Sequence, residues 1–408
     1  MRPAVPSQDF DFTDPDLVER RIPAAEFAAL RRTGGLRWNP QPRGASGFDD
    51  DGCWTVTRHA DVMTASRDHE TFSSNTNTAV IRYNEKIGHG EIEALKDTLL
   101  VNLDPPAHAR LRTIVSRGFT PRVIGGLRDA LRDRAERIVA RARTEGTGDF
   151  VTDVAVELPL QAIAELLGVP QEDRAKLFQW SNQMLGYDDP EFAADMTTAA
   201  ASILEYSMGL AEARKERPRD DLVTKLVQAG EGGSLSPEEF GFFFIILAVA
   251  GNETTRNAIT HGMMAFFDAP DQWARYRAER PATTADEIVR WATPVIAFQR
   301  TATRDTVLGG TEVKAGDRLA LYYSSANYDE SVFTDPFTFD IGRAPNPHLG
   351  FGGTGIHYCV GANLARLEID LMFQSIAEAM PNIRPTGPAR RLRSSWIHGI
   401  KHLPVTYT

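Results

Sequence analysis

Cysteine is nearly absent from this chain, which holds only Cys53 and Cys359 in 408 residues. Two thiols cannot staple a protein of this size, so a disulfide framework is excluded and a reducing compartment fits better. Long apolar runs are missing as well. The longest, residues 242–250, falls far below the ~20 residues that span a bilayer, and no transmembrane anchor is expected. Residues 1–15 are polar and contain proline, without the apolar core of a signal peptide, which predicts neither secretion nor an N-terminal anchor. Positive charge is in deficit. With 45 Lys and Arg against 55 Asp and Glu, the net charge of −10 argues against a nucleic-acid surface and fits a cytoplasmic protein. Linkers, internal repeats and low-complexity segments are also lacking, and the loop at 231–237 is short and leads straight into a helical pattern. Length alone suggests two or three domains, but 42% hydrophobic residues without a linker predict a single domain over 1–408.

What is present is mostly helical periodicity. Apolar spacing predicts helices at 122–143, 158–167, 194–213, 221–228, 237–267 and 361–379, and short strands at 53–57, 299–302, 307–308 and 318–323. The fold class is therefore mainly α with a minor β-sheet region. Cys53 lies in the alternating Cys53-Trp54-Thr55-Val56-Thr57 and reads as packing. The best-defined helix start is Ser236-Pro237-Glu238-Glu239, which combines an N-cap serine, proline at the first helical position and a capping glutamate. That helix is apolar on nearly every face through Ala250, which places it in the middle of the molecule.

Phe351-Gly352-Gly353-Thr354-Gly355-Ile356-His357-Tyr358-Cys359-Val360-Gly361 is a glycine-rich loop that delivers one cysteine to a helix start. Unpaired N–H groups at a helix N-terminus supply hydrogen bonds and a positive field, both of which favour a thiolate. Glycines at 352, 353, 355 and 361 carry no Cβ to hold a flat ligand away from the main chain. A lone cysteine would be read as buried packing, but four glycines and a histidine at this spacing point to a ligand loop. The segment resembles the haem-binding signature of the cytochromes P-450, which implies that fold, a haem b cofactor (iron protoporphyrin IX) and Cys359 as the axial iron ligand. One departure is visible: the phenylalanine usual seven positions before the cysteine is Gly352 here, with Phe351 one place further back.

Inside the long helix, Ala250-Gly251-Asn252-Glu253-Thr254-Thr255 sets polar groups in an apolar surround, where burial costs several kcal/mol unless partners are found. One reading is a helix bend in which Thr254 bonds back to a carbonyl. In the other, the same geometry opens a groove for dioxygen and water, with Glu253 relaying protons; the resemblance assigns Gly251, Glu253 and Thr254 to the distal side of the haem. Ile246, Val249 and Ala250 precede Thr254 at spacings that border the same pocket. Glu287 and Arg290, at i and i+3, are by spacing alone an ordinary ion pair; the resemblance joins them with Arg343 in a network that supports the cysteine loop. It also assigns His108, Arg112, Arg300 and His357 to the haem propionates, and His108 and Arg112 share one helical face.

The segments 10–15, 171–174, 180–182, 248–264, 286–294 and 396–402 are similar to the actinobacterial steroid 26-monooxygenases. A neighbouring group oxidises the ends of methyl-branched lipids. The resemblance implies hydroxylation of a terminal methyl (C26/C27) of cholesterol or cholest-4-en-3-one, with further oxidation to aldehyde and acid by repeated turnover. It also implies O2 as oxidant and electrons from a ferredoxin and its NAD(P)H-dependent reductase, since no flavin or iron–sulfur module is visible in the chain. An omega-hydroxylase of branched fatty lipids, a peroxide-driven peroxygenase and a haem-based ligand sensor remain as rivals that share the cysteine loop. Val80, Ile81, Val249, Val295, Ile296, Phe298 and Trp396 are candidate pocket residues, although core packing accounts for any one of them equally well. Arg110, Arg117 and Arg366 are candidate docking cations for the electron donor.

Overall fold

The computed structural model describes residues 6–7, 9–44, 47–83, 89–192, 196–219, 221–227 and 235–408. Most of the expected 231–237 loop lies outside these residues, as do Gln228 and the first two positions of the helix expected at 194–213. The described helices are mainly those the periodicity predicts. Met196–Glu216, Leu222–Val227, Pro237–Asp268 and Ala362–Ala379 all form. The pattern at 122–143 instead divides into Pro121–Gly126 and Arg128–Glu145. Gly125-Gly126 explains the break, because consecutive glycines are poor helix formers and apolar spacing does not register them. A π-helical turn, Val151–Ala155, precedes Glu157–Leu167.

Five strands make the largest sheet, in the order Arg37–Pro40, Gly52–Val56, Arg318–Tyr322, Ala297–Ala302, Phe72–Ser73. Gly52–Val56 runs parallel to Arg318–Tyr322 with Trp54 opposite Leu319, and the other pairings are antiparallel. Cys53 is fully buried in an apolar cluster with Phe12, Phe27 and Tyr322, and burial pushes its thiol up to about 12. It is packing, as its strand pattern implies.

The 32-residue helix Pro237–Asp268 runs through the largest core cluster. Its start is a complete capping box: Ser236 Oγ accepts from Glu239 N–H at 3.1 Å, and Glu239 Oε2 accepts from Ser236 N–H at 2.9 Å. Glycine lets a neighbour press close at mid-helix. A Cβ at Gly251 would lie 2.4 Å from Ile163 Cδ1, so a side chain there would force Ile163 of helix Glu157–Leu167 to shift. Among the described residues, no helix is long and apolar enough to cross a membrane.

The capping box satisfies two otherwise orphaned donors, so Ser236→Ala should lower stability by about 1 kcal/mol, read as a lower urea midpoint of the holoprotein with unchanged slope.

Candidate active site

Cys359 sits two residues before Gly361, the N-cap of helix Ala362–Ala379. Its N–H donates to Phe351 O at 2.9 Å, which closes the loop on itself. Phe351 thus anchors the cysteine through its main chain, from one place further back than the family spacing. The residue is accessible to solvent, yet the surrounding protein pushes its thiol above the ordinary range, with Gly361 N–H, Arg112 and Arg366 pulling the other way. The helix terminus alone therefore does not secure the thiolate; a metal ion would complete that task.

The glycines divide their labour differently from the expectation. Gly352 and Gly353 adopt φ of +90° and +71°, where a side chain is strained. Gly355 is required by packing, since a Cβ there would fall 1.8 Å from the Ser66 carbonyl oxygen. At Gly361 a Cβ would meet Cys359 Sγ and Phe119 at ordinary contact distance. The loop is thus pressed onto the end of helix His59–Arg67, where Arg67 also bonds Thr354.

Behind the loop, the Glu287 network is fully internal. Glu287 and Arg290 have no exposed side-chain surface, and Arg290 Nε and Nη2 each donate to a separate Glu287 oxygen at 2.8 Å. Arg343 Nε donates to Glu287 at 3.1 Å, and the Asp340 N–H and Asn346 Nδ2 fill the remaining lone pairs. Arg290 also donates to Asn327 O and Pro336 O at 2.9 Å. Asn327 Oδ1 in turn accepts from Leu349 N–H at 2.6 Å, two residues before Phe351. The pair that spacing alone would leave on the surface is the buried footing of the cysteine loop.

A second support was not visible in the sequence. His348 Nε2 and Arg366 Nε both donate to Asp286 Oδ1, at 2.9 and 2.8 Å. Burial raises Asp286, but His348 and Arg366 outweigh it and leave the carboxyl below its ordinary range. Arg366 also stacks over the Phe351 ring at 4.5 Å. Its charge is thereby engaged internally, which weakens it as a docking cation, and Arg110 is paired with Glu239. Arg117 is exposed and, among the described residues, makes no ion pair.

His108, Arg112, Arg300 and His357 come together as the resemblance implies. The His108 and His357 rings lie 4.4 Å apart, and Ser74 Oγ is hydrogen-bonded to His357 Nε2 at 3.0 Å. Burial, then the charge of Arg112, pushes His108 down to about 4; burial, then Arg300, pushes His357 down to about 2. Arg300 is buried and donates only to Gln299 O, and neither Arg112 nor Arg300 makes an ion pair among the described residues. His108 Nε2 is buried with no hydrogen-bond partner. Two guanidinium groups without an ion-pair partner among the described residues, beside two imidazoles whose protonation they depress, call for an anion, and two propionates fit that set. Together with the Cys359 thiol, these residues fit haem.

Between Phe243 and Met263 the long helix opens on one stripe. Ala250 is exposed and Ile246, Gly251 and Thr254 are half-buried, whereas the intervening positions, Val249 included, are buried. Thr254 Oγ1 donates to Ala250 O at 2.7 Å, the back-bond of the first reading, and Thr254 lies on the open stripe. Glu253 departs from the expected relay geometry. It is buried, paired with Arg256, and Arg256 Nη1 is fixed by Asn182 Oδ1 at 3.0 Å. Burial raises its pKa despite Arg256, and Oε1 has no partner. Thr255 faces Glu368, whose buried carboxyl is pushed up to about 8, a feature that no spacing signalled.

Among the pocket candidates, Val80, Val295, Phe298 and Trp396 are half-buried, and the Trp396 and Phe298 rings are 6.0 Å apart. The strand end brings them together, since Ile296 N–H donates to Trp396 O at 2.8 Å. Ile81 and Ile296 lie instead in the cluster with Phe12 and Phe27, and Val249 in the main core. Alternation along each segment accounts for this split, because neighbours point to opposite faces.

Comparison with known proteins agrees with this architecture. Residues 149–379 match the family Cytochrome P450. The chain is similar to a steroid C26-monooxygenase of Rhodococcus jostii, 59% identical over 98% of this chain and 85% of that protein. It is similar to a methyl-branched lipid omega-hydroxylase of Mycobacterium tuberculosis, 42% identical over 100% of this chain and 96% of that protein. Among solved structures, a Mycobacterium marinum cytochrome P450 in complex with pseudoionone superposes with a TM-score of 0.90 at 34% identity, covering 99% of both chains.

Because Gly355 presses on the Ser66 carbonyl, Gly355→Ala should displace the cysteine loop and cut haem incorporation severalfold, read as haem absorbance per protein. Glu287→Gln, which strands Arg290 without its counter-charge, should cost about 3–5 kcal/mol in unfolding free energy.

Proposed function

The chain belongs to the cytochrome P450 family, and on that premise we propose that this monooxygenase hydroxylates a terminal methyl (C26/C27) of a sterol side chain. Cholesterol or cholest-4-en-3-one would be the substrate, haem b the cofactor, and a cytoplasmic ferredoxin with its NAD(P)H-dependent reductase the electron source. The likeness to a steroid C26-monooxygenase along nearly the whole chain carries this assignment. Methyl-branched lipids present the same kind of terminus, but the lower identity to the omega-hydroxylase favours the sterol.

Haem bound through Cys359 supplies activation of dioxygen and transfer of one of its oxygen atoms to a C–H bond. The chain's own residues do the rest. Cys359 would hold the group through its sulfur, and His108, Arg112, Arg300 and His357 would hold its propionates. Val80, Val295, Phe298 and Trp396 offer half-buried apolar surface against which a sterol can lie end-on. Burying roughly 400 Å² of sterol contributes on the order of 10 kcal/mol before association costs, enough for micromolar binding. Thr254 Oγ1, held on Ala250 O, is the hydroxyl that hands protons to the open stripe. Glu253 is held by Arg256 and must turn from it to pass a proton to the open stripe.

Purified holoenzyme with a ferredoxin, its reductase and NAD(P)H should convert cholest-4-en-3-one to the terminal alcohol. Product sustained by hydrogen peroxide alone, with none from the reconstituted chain, would replace this reading by a peroxygenase; spectral binding without any turnover would favour a sensor. Thr254→Ala should leave NAD(P)H consumption running while product per electron pair falls about tenfold, a loss near 1.4 kcal/mol of barrier discrimination.

A further inference from the structure

Between helix Arg174–Leu185 and helix Met196–Glu216 the chain crosses the molecule as Gly186-Tyr187-Asp188-Asp189-Pro190-Glu191-Phe192. Asp189 in this segment is fully buried, and so nearly is its partner Lys401. Asp189 Oδ1 accepts from Lys401 Nζ at 3.0 Å and from Glu191 N–H at 2.9 Å, while Oδ2 accepts from Arg393 N–H at 2.9 Å. Arg393 Nη1 adds a bond to Asp188 O at 2.6 Å. One carboxylate thus ties the crossing segment to strand Ile400–His402 and to the turn that leads into Trp396. Two residues before it, Tyr187 donates to Arg82 O at 2.8 Å, on the stretch that carries Val80. A second, exposed knot lies beside the first. Glu191 meets Arg390 and His402 at 2.8 Å each and Lys401 at 3.1 Å, and His402 Nδ1 donates to Asp149 Oδ2 at 2.6 Å.

Burying a lysine and an aspartate carries a desolvation penalty of several kcal/mol per ion, so such a pair is a poor way to gain stability. What it does supply is a single register for the segments it joins. We propose that Asp189, through Lys401, is a positioning residue that locks the 186–192 segment across the Trp396 turn and thereby retains substrate between Val80 and Trp396. This rests on the reading of Val80 and Trp396 as pocket walls. Neither Asp189 nor Lys401 takes part in the chemistry; their effect falls on substrate dissociation.

The exposed knot gives the lock a pH dependence. The charged groups facing His402 are Asp149 and Glu191, with Lys401 and Arg390 alongside and Asp153 behind Asp149. Burial lowers His402, but the bonds to Glu191 and Asp149 outweigh it and raise its pKa above the ordinary value. A raised imidazole contributes fully below its ordinary pKa and loses that contribution as pH rises through the raised value, so the lock loosens toward alkaline pH.

Two measurements on the haem-loaded enzyme test this. Without substrate, amide hydrogen exchange in residues 186–192 and 394–398 should rise about tenfold together in Asp189→Asn, return near wild type in Lys401→Arg and stay fast in Lys401→Met. Should Asp189→Asn fail to hold haem, the double variant Asp189→Leu, Lys401→Met removes both charges and should fold while keeping the fast exchange. With cholest-4-en-3-one, stopped-flow dissociation should be about tenfold faster in the unlocked variants while the single-turnover rate of bound substrate changes less than twofold. Wild-type dissociation should quicken from pH 6.5 to 9, and His402→Gln should flatten that profile. Unchanged exchange in the unlocked variants, or a profile unaffected by His402→Gln, overturns the lock. Failure of the wild type to bind sterol overturns the substrate reading instead, because exchange in the substrate-free enzyme still decides on the lock.

Discussion

A carboxylate with no access to water, Glu287, is the constraint on which the cysteine loop depends. Left alone, such a charge would cost more than the fold can spare. Two guanidinium groups, one main-chain N–H and one amide satisfy it, Arg290 from its own helix and the other three from the segment 340–346. Arg290 then spends its remaining donors on the carbonyls of Asn327 and Pro336, and Asn327 passes the restraint to Leu349. The sulfur is therefore placed by a chain of satisfied polar groups that tolerates no missing member. Apolar packing alone could fill the same volume without fixing any direction.

The Asp286 arrangement repeats that logic closer to the sulfur, joining the loop through His348 to the following helix through Arg366. The middle of the long helix presents one open stripe, Ile246, Ala250 and Thr254, between buried faces. The cysteine loop and the long helix are thus built by different means, polar networks behind the one and selective exposure along the other.

The sequence made the elements legible where a local rule governs them. The Ser236 cap, the length of the central helix and the strand around Cys53 all follow from neighbouring residues and are found, although that strand is buried on both faces and does not alternate in exposure. The helix expected at 122–143 failed because apolar period outweighed a glycine pair in the reading, while in the chain the glycines win. Site residues were legible where a motif spaces them: Cys359, and the His108, Arg112, Arg300 and His357 cluster. Asp286, Asn327 and Glu368 were not, since each acquires meaning only from a partner distant in sequence. Glu253 shows the limit in the other direction, because its position on the helix was readable but its engagement by Arg256 and Asn182 was not.

Gly355 rests on Ser66, and the neighbouring contact between Arg67 and Thr354 spans 287 positions of the chain. On a ribosome that interval means that the platform for the sulfur is synthesised early and its occupant very late. Assembly of the proximal cradle must wait until the ribosome has passed the cysteine loop, so that a product truncated before it would emerge colourless.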